Sequence, residues 1–267
     1  MEEKKLTIQE EWLLTKKISV KYSTYCKYES IVTKHINPYL KENKIEELTE
    51  LHIIHYIDHL INVMNLSTSI VNSIQCTLKA IYRYGERTHG LKKLDFNVIK
   101  FSQKSKTKEP LTLEKEMIIW QYCLNNKERI SLAMSLGLYA GLRIGEICAL
   151  KWEDVDFIQK IITVRHTIGR IYNCGLKSTE RILSSPKTKN SYREIPISKQ
   201  LFQALKTVRK QSQSPYVVGT STQSKEPRSY RDYFGRLLKR LNIPHLVFHQ
   251  RRYYIFSFSL RINNLTN

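Results

Sequence analysis

Residues 139–152 read YAGLRIGEICALKW and are the most informative stretch of this chain. Apolar side chains recur there at three- and four-residue spacing, at Ile144, Ile147 and Cys148. This spacing predicts a short helix with one face packed inward. Arg143 follows a glycine turn at the start of that helix, and Glu146 lies three residues later on the same surface. A guanidinium held by its own carboxylate can bind a phosphate bidentately and stabilise charge on it. An ordinary surface ion pair is the alternative interpretation.

The composition indicates an anionic partner. The 267 residues suffice for one large or two modest domains, and 44 Lys and Arg against 24 Asp and Glu give a net charge of +20. Nucleic acid is the first candidate partner and an acidic membrane surface the second. The sequence contains no run of about 18 apolar residues, so it predicts no membrane span. The polar N-terminus does not resemble a signal peptide. Five cysteines without a C-x-x-C pair indicate reduced thiols. We therefore expect a cytoplasmic polyanion-binding protein without a metal or other cofactor.

The spacing of apolar residues over residues 1–100 predicts a helical domain. Helical spacing of tyrosines and other apolar residues runs over residues 22–35, and Asn37 with Pro38 is expected to stop it. Further helices are predicted after two N-cap candidates, Thr49 and Ser67. Residues 101–111 are polar and basic without apolar periodicity, which predicts an interdomain linker.

Residues 112–267 predict a second domain that combines helices with a few strands. Helices are predicted to begin near four positions: Thr112, Ile130, Ser198 and Ser229. Ile161–Val164 is rich in β-branched residues and predicts a strand. Residues 185–198 alternate around a polar turn at residues 188–191, which predicts a hairpin. The expected fold class is mainly α with a small antiparallel β-sheet.

Three further side chains are candidates for chemistry at a phosphate. Lys187 lies near the tip of the predicted hairpin, from which a lysine could enter a groove and donate a proton. A solvated turn lysine is the more common interpretation. His249 and Arg252 have H-x-x-R spacing, so both side chains would share one helix face and could converge on one phosphate. That spacing alone is weak, because chance often produces it in a basic chain.

The order of these features resembles the tyrosine recombinase (phage integrase) family. A G-L-R-x-x-E helix, a hairpin lysine and H-x-x-R follow one another in the expected sequence. Residues 23–25, 35–40 and 66–67 resemble the helical, SAM-like core-binding domain of that family. The resemblance implies a core-binding domain over residues 1–100, a basic linker over 101–111 and an integrase-type catalytic domain over 112–267.

The resemblance also implies a reaction: metal-free phosphoryl transfer on double-stranded DNA, for recombination and integration of a mobile element. A tyrosine would attack the scissile phosphate and form a 3′-phosphotyrosyl bond. Arg143 and Arg252 would bind the non-bridging oxygens, with Glu146 orienting Arg143. Lys187 would protonate the leaving 5′ oxygen, and His249 would assist proton transfer.

Seven other cations are candidates for DNA binding, because basic side chains position a protein on phosphates. They lie in or directly before the linker, in the predicted hairpin and in a late helix: Lys100, Lys104, Lys106, Lys108, Arg193, Arg228 and Arg231. For the late helix, a solvated face is an equally good interpretation.

The sequence departs from the family after Arg252. The family continues with a Gly-His pair and then the nucleophilic tyrosine, whereas the fifteen residues here contain no Gly-His and no tyrosine beyond Tyr254. A tyrosine one or two residues from Arg252 is a poor in-line attacker. We therefore expect an incomplete catalytic domain, through a frameshift near His249, with impaired cleavage and weakened homo-oligomerisation.

Three functions are left open by the sequence. The first is a strand-cleaving recombinase, and the second is a non-catalytic DNA-binding remnant or regulator. The third is a basic helical adaptor that binds RNA or an acidic protein.

Overall fold

The computed structural model describes residues 6–97, 112–126, 129–185, 192–219, 222 and 224–243. The chain divides into two compact units. Unit 1 comprises Met1–Thr107 with Arg170–Glu180, and unit 2 comprises Lys108–Gly169 with Arg181–Asn267. Helices predominate and the strands form small antiparallel sheets, which confirms the expected fold class. In the described ranges, no helix combines the length and apolar character needed to cross a membrane.

Unit 1 is a helical bundle. Its helices are α1 (Ile8–Ser19), α2 (Tyr22–Ile31), α3 (Asn37–Glu42), α4 (Glu50–Asp58) and α5 (Thr68–Thr88). Thr49 and Ser67 are the N-caps of α4 and α5, as predicted, and the Thr49 hydroxyl accepts from the His52 amide at 3.4 Å. The apolar face of the amphipathic helix α5 packs into the core of this unit, where Ile74 and Ile81 are fully buried.

The prediction that Asn37 and Pro38 stop the second helix is wrong. A π-helical turn over Val32–Ile36 joins α2 to α3, and the backbone remains right-handed helical through Asn37. Pro38 has no N–H and would break a regular α-helix in its interior. Here the widened turn ends with the Asn37 amide donating to Val32 O, and Pro38 occupies the first turn of α3, where its missing donor is tolerated.

Unit 2 combines five helices with short strands among its described residues. The helices are α6 (Leu113–Asn125), α7 (Arg129–Tyr139), α8 (Ile144–Ala149), α9 (Lys199–Gln211) and α10 (Pro227–Arg240). Its strands are β1 (Val155–Asp156), β2 (Ile161–Val164) and β5 (Arg193–Pro196). Two further strands, β3 (Thr167–Asn173) and β4 (Ser178–Ser184), are divided between the two units, because Arg170–Glu180 belongs to unit 1. Ser198 caps α9, its hydroxyl accepting from the Leu201 amide at 3.4 Å. One buried cluster joins α7, α8, α9 and the sheet, and Leu136, Ile147 and Ile162 are fully buried in it.

The predicted hairpin over residues 185–198 is described only in part, because residues 186–191, which include its turn, lie outside the described residues. The sheet order is β1-β2-β5, and β5 pairs with β2 in antiparallel register, with Ile195 opposite Ile162. The fully buried Ile162 supplies an apolar neighbour that sets this register, whereas β4 is mostly exposed. A separate two-stranded sheet, β3-β4, lies between the two strands in the sequence and was not predicted.

Two glycines shape the chain around α8. Gly141 has φ +60°, a left-handed conformation that lets the chain turn between α7 and α8. Gly145 lies against β3, so that a Cβ there would be 2.6 Å from both Ile168 O and Thr167 Oγ1. This close approach fixes α8 against the start of β3.

Gly145→Ala is therefore expected to destabilise unit 2 by about 1–3 kcal/mol, because the methyl group would displace backbone of β3. The matched control is Gly235→Ala in α10, where a Cβ would meet nothing within 4 Å. That substitution is expected to stabilise the chain by about 0.5–1 kcal/mol, since alanine loses less backbone entropy in a helix. Urea denaturation of the two variants measures the change in the free energy of unfolding and its sign for each. Equal changes in the two variants would contradict the tight packing at Gly145.

Candidate functional site

The start of α8 fixes the position of Arg143. After the Gly141 turn, Arg143 is the N-cap of α8, with extended backbone at φ −70° and ψ 152°. Ile144, Ile147 and Cys148 are all buried, which confirms the predicted inward face of this helix. Packing of that face leaves the Arg143 side chain pointing away from the core, 40% exposed.

The carboxylate of Glu146 binds two arginines. The Arg143 backbone amide donates to Oε2 at 2.9 Å, and its Nη1 donates to Oε1 at 2.7 Å. From β5, Arg193 Nη2 donates to Oε2 at 2.8 Å and Nη1 to Oε1 at 3.2 Å. Both carboxylate oxygens are therefore saturated, and the Glu146 side chain is only 3% exposed. We call these three residues the arginine–glutamate cluster.

The cluster keeps Glu146 ionised. Burial alone would raise the pKa of this carboxyl group. The Arg193 guanidinium, the Arg143 amide and the Arg143 guanidinium all donate to the charged form, and together they hold the pKa below its ordinary value. Two cations around one anion leave the cluster with a net positive charge, which suits it to an anionic ligand.

Arg143 and Arg193 differ in what they can offer a ligand. Arg193 is 20% exposed and binds Glu146 in a bidentate manner. The Arg143 side chain is twice as exposed, and its guanidinium donates to Glu146 through Nη1. A guanidinium carries five N–H donors, so Arg143 has donors to present to a phosphate while Glu146 fixes its orientation.

The Arg193–Glu146 ion pair was not predicted, although Arg193 was a DNA-binding candidate. The alternation of side chains between the two faces of β5 could have indicated this ion pair. Arg193 has the same strand parity as Ile195, whose neighbour across the sheet is the buried Ile162. An inward-facing arginine requires a carboxylate partner, and Glu146 is the acidic residue of the GLRIGE stretch.

The other predicted residues are not all within the described part of the chain. Arg228 and Arg231 lie exposed on α10, and Arg228 is 3.8 Å from Asp232, with no ion pair to Glu146. Seven candidates fall outside the described residues: Lys100, Lys104, Lys106, Lys108, Lys187, His249 and Arg252. Over the ranges that the structure covers, no group of three or more His, Cys, Asp or Glu side chains could hold a metal ion.

Comparison with known proteins identifies relatives. The chain is 27% identical over 250 residues to the ICEBs1 integrase of Bacillus subtilis, covering 85% of this chain and 62% of that protein. It is 28% identical over 199 residues to a tyrosine recombinase XerC-like protein of Caldanaerobacter subterraneus, covering 71% of this chain and 51% of that protein. The transposase from transposon Tn916 of Enterococcus faecalis is 29% identical over 133 residues, which are 43% of this chain and 32% of that protein. The chain thus spans between about a third and two thirds of the length of these curated relatives.

Solved structures share the fold. The Tn1549 transposon integrase in complex with transposon right end DNA superposes with a TM-score of 0.73 at 21% identity, covering 94% of this chain and 85% of that chain. A lambda integrase tetramer bound to a Holliday junction gives a TM-score of 0.62 at 14% identity, covering 92% and 69%.

Sequence profiles of two families match the chain. The profile described as "Phage integrase, N-terminal SAM-like domain" covers residues 7–61. The profile described as "Phage integrase family" covers residues 109–263, which include the whole arginine–glutamate cluster and more than half of the chain. The chain therefore belongs to the phage integrase family.

Proposed function

We propose that this chain binds double-stranded DNA and serves site-specific recombination of a mobile element, with Arg143 as a ligand of the scissile phosphate. The observation that carries the proposal is the arginine–glutamate cluster, in which a buried carboxylate holds a half-exposed guanidinium in one orientation. The net charge of +20 supports a polyanionic partner. The relatives include an integrase and a transposase, and the structural neighbours are integrases bound to DNA.

The cluster suits phosphoryl transfer in two respects. A guanidinium can bind two phosphate oxygens at once, and a fixed one need not reorganise when negative charge grows on them. Arg193 also binds both oxygens of Glu146, so we assign it to positioning as well as to the positive field. Lys187, His249 and Arg252 keep the roles that the family resemblance implies, as predictions.

The remaining sequence-based assignments also stay predictions. These are the boundaries at residues 100 and 112, the DNA contacts of the linker lysines and α10, and homo-oligomerisation on DNA. We place the protein in the cytoplasm, where its DNA would be accessible.

Part of the proposal concerns the nucleophile. Tyr253 and Tyr254 directly follow Arg252, and a side chain so close in sequence to a phosphate ligand is badly placed for in-line attack. We infer that neither Tyr253 nor Tyr254 forms a phosphotyrosyl bond. Incubation with a nicked duplex, followed by denaturing electrophoresis and peptide mapping, is expected to show no covalent adduct on either residue. A DNA adduct mapped to Tyr253 or Tyr254 would overturn this inference and leave the DNA-binding proposal intact.

Duplex binding is expected to depend steeply on salt. A surface that neutralises several phosphates should lose at least about a hundredfold in affinity as salt rises from roughly 50 to 200 mM, because counterions are released on binding. Fluorescence anisotropy with a labelled random-sequence duplex measures this, with single-stranded RNA of equal length as the comparison. Tighter binding of the RNA, or a flat salt response, would favour the adaptor function.

Arg143→Ala is expected to lower affinity for duplex DNA about tenfold, since a hydrogen bond to a charged group is worth about 1.5–3 kcal/mol. Arg143→Lys should recover only part of that loss, because an ammonium cannot bind two phosphate oxygens in a fixed plane. Arg240→Lys on the exposed end of α10 is the matched control and should bind like the parent chain. Equal affinities for all three variants would contradict the proposed role of Arg143.

Glu146→Gln is expected to destabilise the chain by about 3 kcal/mol at neutral pH, because it leaves two arginines facing a neutral group. The folded-state pKa of Glu146 lies below its ordinary value, so its stabilising contribution is present above about pH 4.3 and is lost as pH falls through the folded pKa. Urea denaturation at neutral pH and at successively lower pH should show the difference in free energy of unfolding between the parent chain and Glu146→Gln shrinking on acidification. Glu153→Gln, at a side chain 67% exposed and paired with Lys151, should change stability by less than about 1 kcal/mol throughout. Similar behaviour of the two variants would contradict the buried ion pairs.

A further inference from the structure

Unit 2 carries an aromatic surface that the DNA-binding proposal does not use. The Trp152 and Phe157 rings are stacked, with centroids 6.4 Å apart, and Phe157 meets Phe202 edge-on at 5.9 Å. Phe157 and Phe202 are half-buried against the main core, so each keeps some exposed surface. Beside Phe157, Ile158 is 88% exposed. We call these four residues the aromatic shelf.

The exposed isoleucine is held in a fixed position. It lies in the turn between β1 and β2, where the Asp156 carboxylate accepts from the amides of Ile158 and Gln159, each at 2.8 Å. Lys160 closes the turn with φ +54°, a left-handed conformation that costs energy for a residue with a side chain. The Lys160 carbonyl accepts from the Ile197 amide at 2.8 Å, which ties the turn to the segment after β5. The turn therefore presents an apolar side chain to solvent on a rigid support.

Cations surround the shelf. The ammonium groups of Lys160 and Lys206 lie 5.6 and 5.5 Å from the centroid of the Phe202 ring. The Arg209 guanidinium lies 5.3 Å from the centroid of the Trp152 ring. Within the described part of the chain, none of these three cations forms an ion pair. The nearby carboxylates are engaged elsewhere: Asp154 faces Arg165, and Asp156 caps the turn.

We propose that the aromatic shelf and its three cations bind an acidic protein segment that carries an apolar anchor residue. Carboxylates of such a segment would pair with Lys160, Lys206 and Arg209, and the anchor would cover Ile158 and the phenylalanine edges. A second copy of this chain would bring a net charge of +20 to a surface that is itself cationic, so an acidic segment is the better match. A DNA backbone matches the cations but gains little from an exposed isoleucine, because its charged phosphates offer little apolar surface to cover that side chain.

The probe is a fluorescein-labelled peptide of alternating glutamate and leucine residues, measured by anisotropy with the full chain. Two matched peptides replace either every leucine by serine or every glutamate by lysine. The parent peptide should bind, and each replacement should weaken binding at least about tenfold, because both apolar burial and charge pairing are needed.

Variants locate the site on the protein. Ile158→Ser and Lys206→Glu change exposed side chains, so both should fold, and each should lower peptide affinity about tenfold. Their matched controls are Ile18→Ser, at an isoleucine 90% exposed on α1, and Lys239→Glu, on the exposed face of α10. Both controls should bind the peptide like the parent chain, and Ile158→Ser should bind duplex DNA normally.

Three results would overturn the proposal. The first is no binding of the glutamate–leucine peptide, and the second is equal binding by the shelf and control variants. The third is a loss of duplex affinity in Ile158→Ser as large as the loss of peptide affinity, which would make this surface a DNA contact.

Discussion

The buried carboxylate of Glu146 is the interaction on which the site depends. Removing a carboxylate from water is costly, and a single ion pair often fails to offset that cost. Here four hydrogen bonds from Arg143 and Arg193 saturate both oxygens. These hydrogen bonds offset the free-energy cost of burying the Glu146 carboxylate. Because the two arginines carry two positive charges against one negative charge, the cluster remains cationic. That excess charge is directed outward through Arg143.

Three elements must be placed correctly for this carboxylate to meet both partners. Gly141 turns the chain so that Arg143 begins α8, and the close approach of Gly145 to β3 fixes that helix against the start of β3. Pairing of β5 with β2, with Arg193 opposite Val164, brings the second arginine to the carboxylate. The site is thus a product of core packing in unit 2, and damage to the core should be felt at Arg143.

Local patterns in the sequence were sufficient for the helices and for Arg143 with Glu146. Apolar spacing and N-cap residues act over a few positions, so they identified α8 and the starts of α4, α5 and α9 correctly. Strand pairing depends on residues far apart in the chain, which is why the pairing of β5 with β2 was not predicted. The same limitation hid the Arg193–Glu146 ion pair, because 47 positions separate its members. At Pro38, the error arose because a π-helical turn accommodates a residue that normally ends a helix.

A crystal structure of the chain bound to duplex DNA would show whether Glu146 holds Arg143 in position for a phosphate. We expect two oxygens of one phosphate to accept from the Arg143 guanidinium while Glu146 keeps its hydrogen bonds to both arginines. An Arg143 side chain that leaves Glu146, or that has no phosphate within hydrogen-bond distance, would mean that Glu146 does not orient a phosphate ligand.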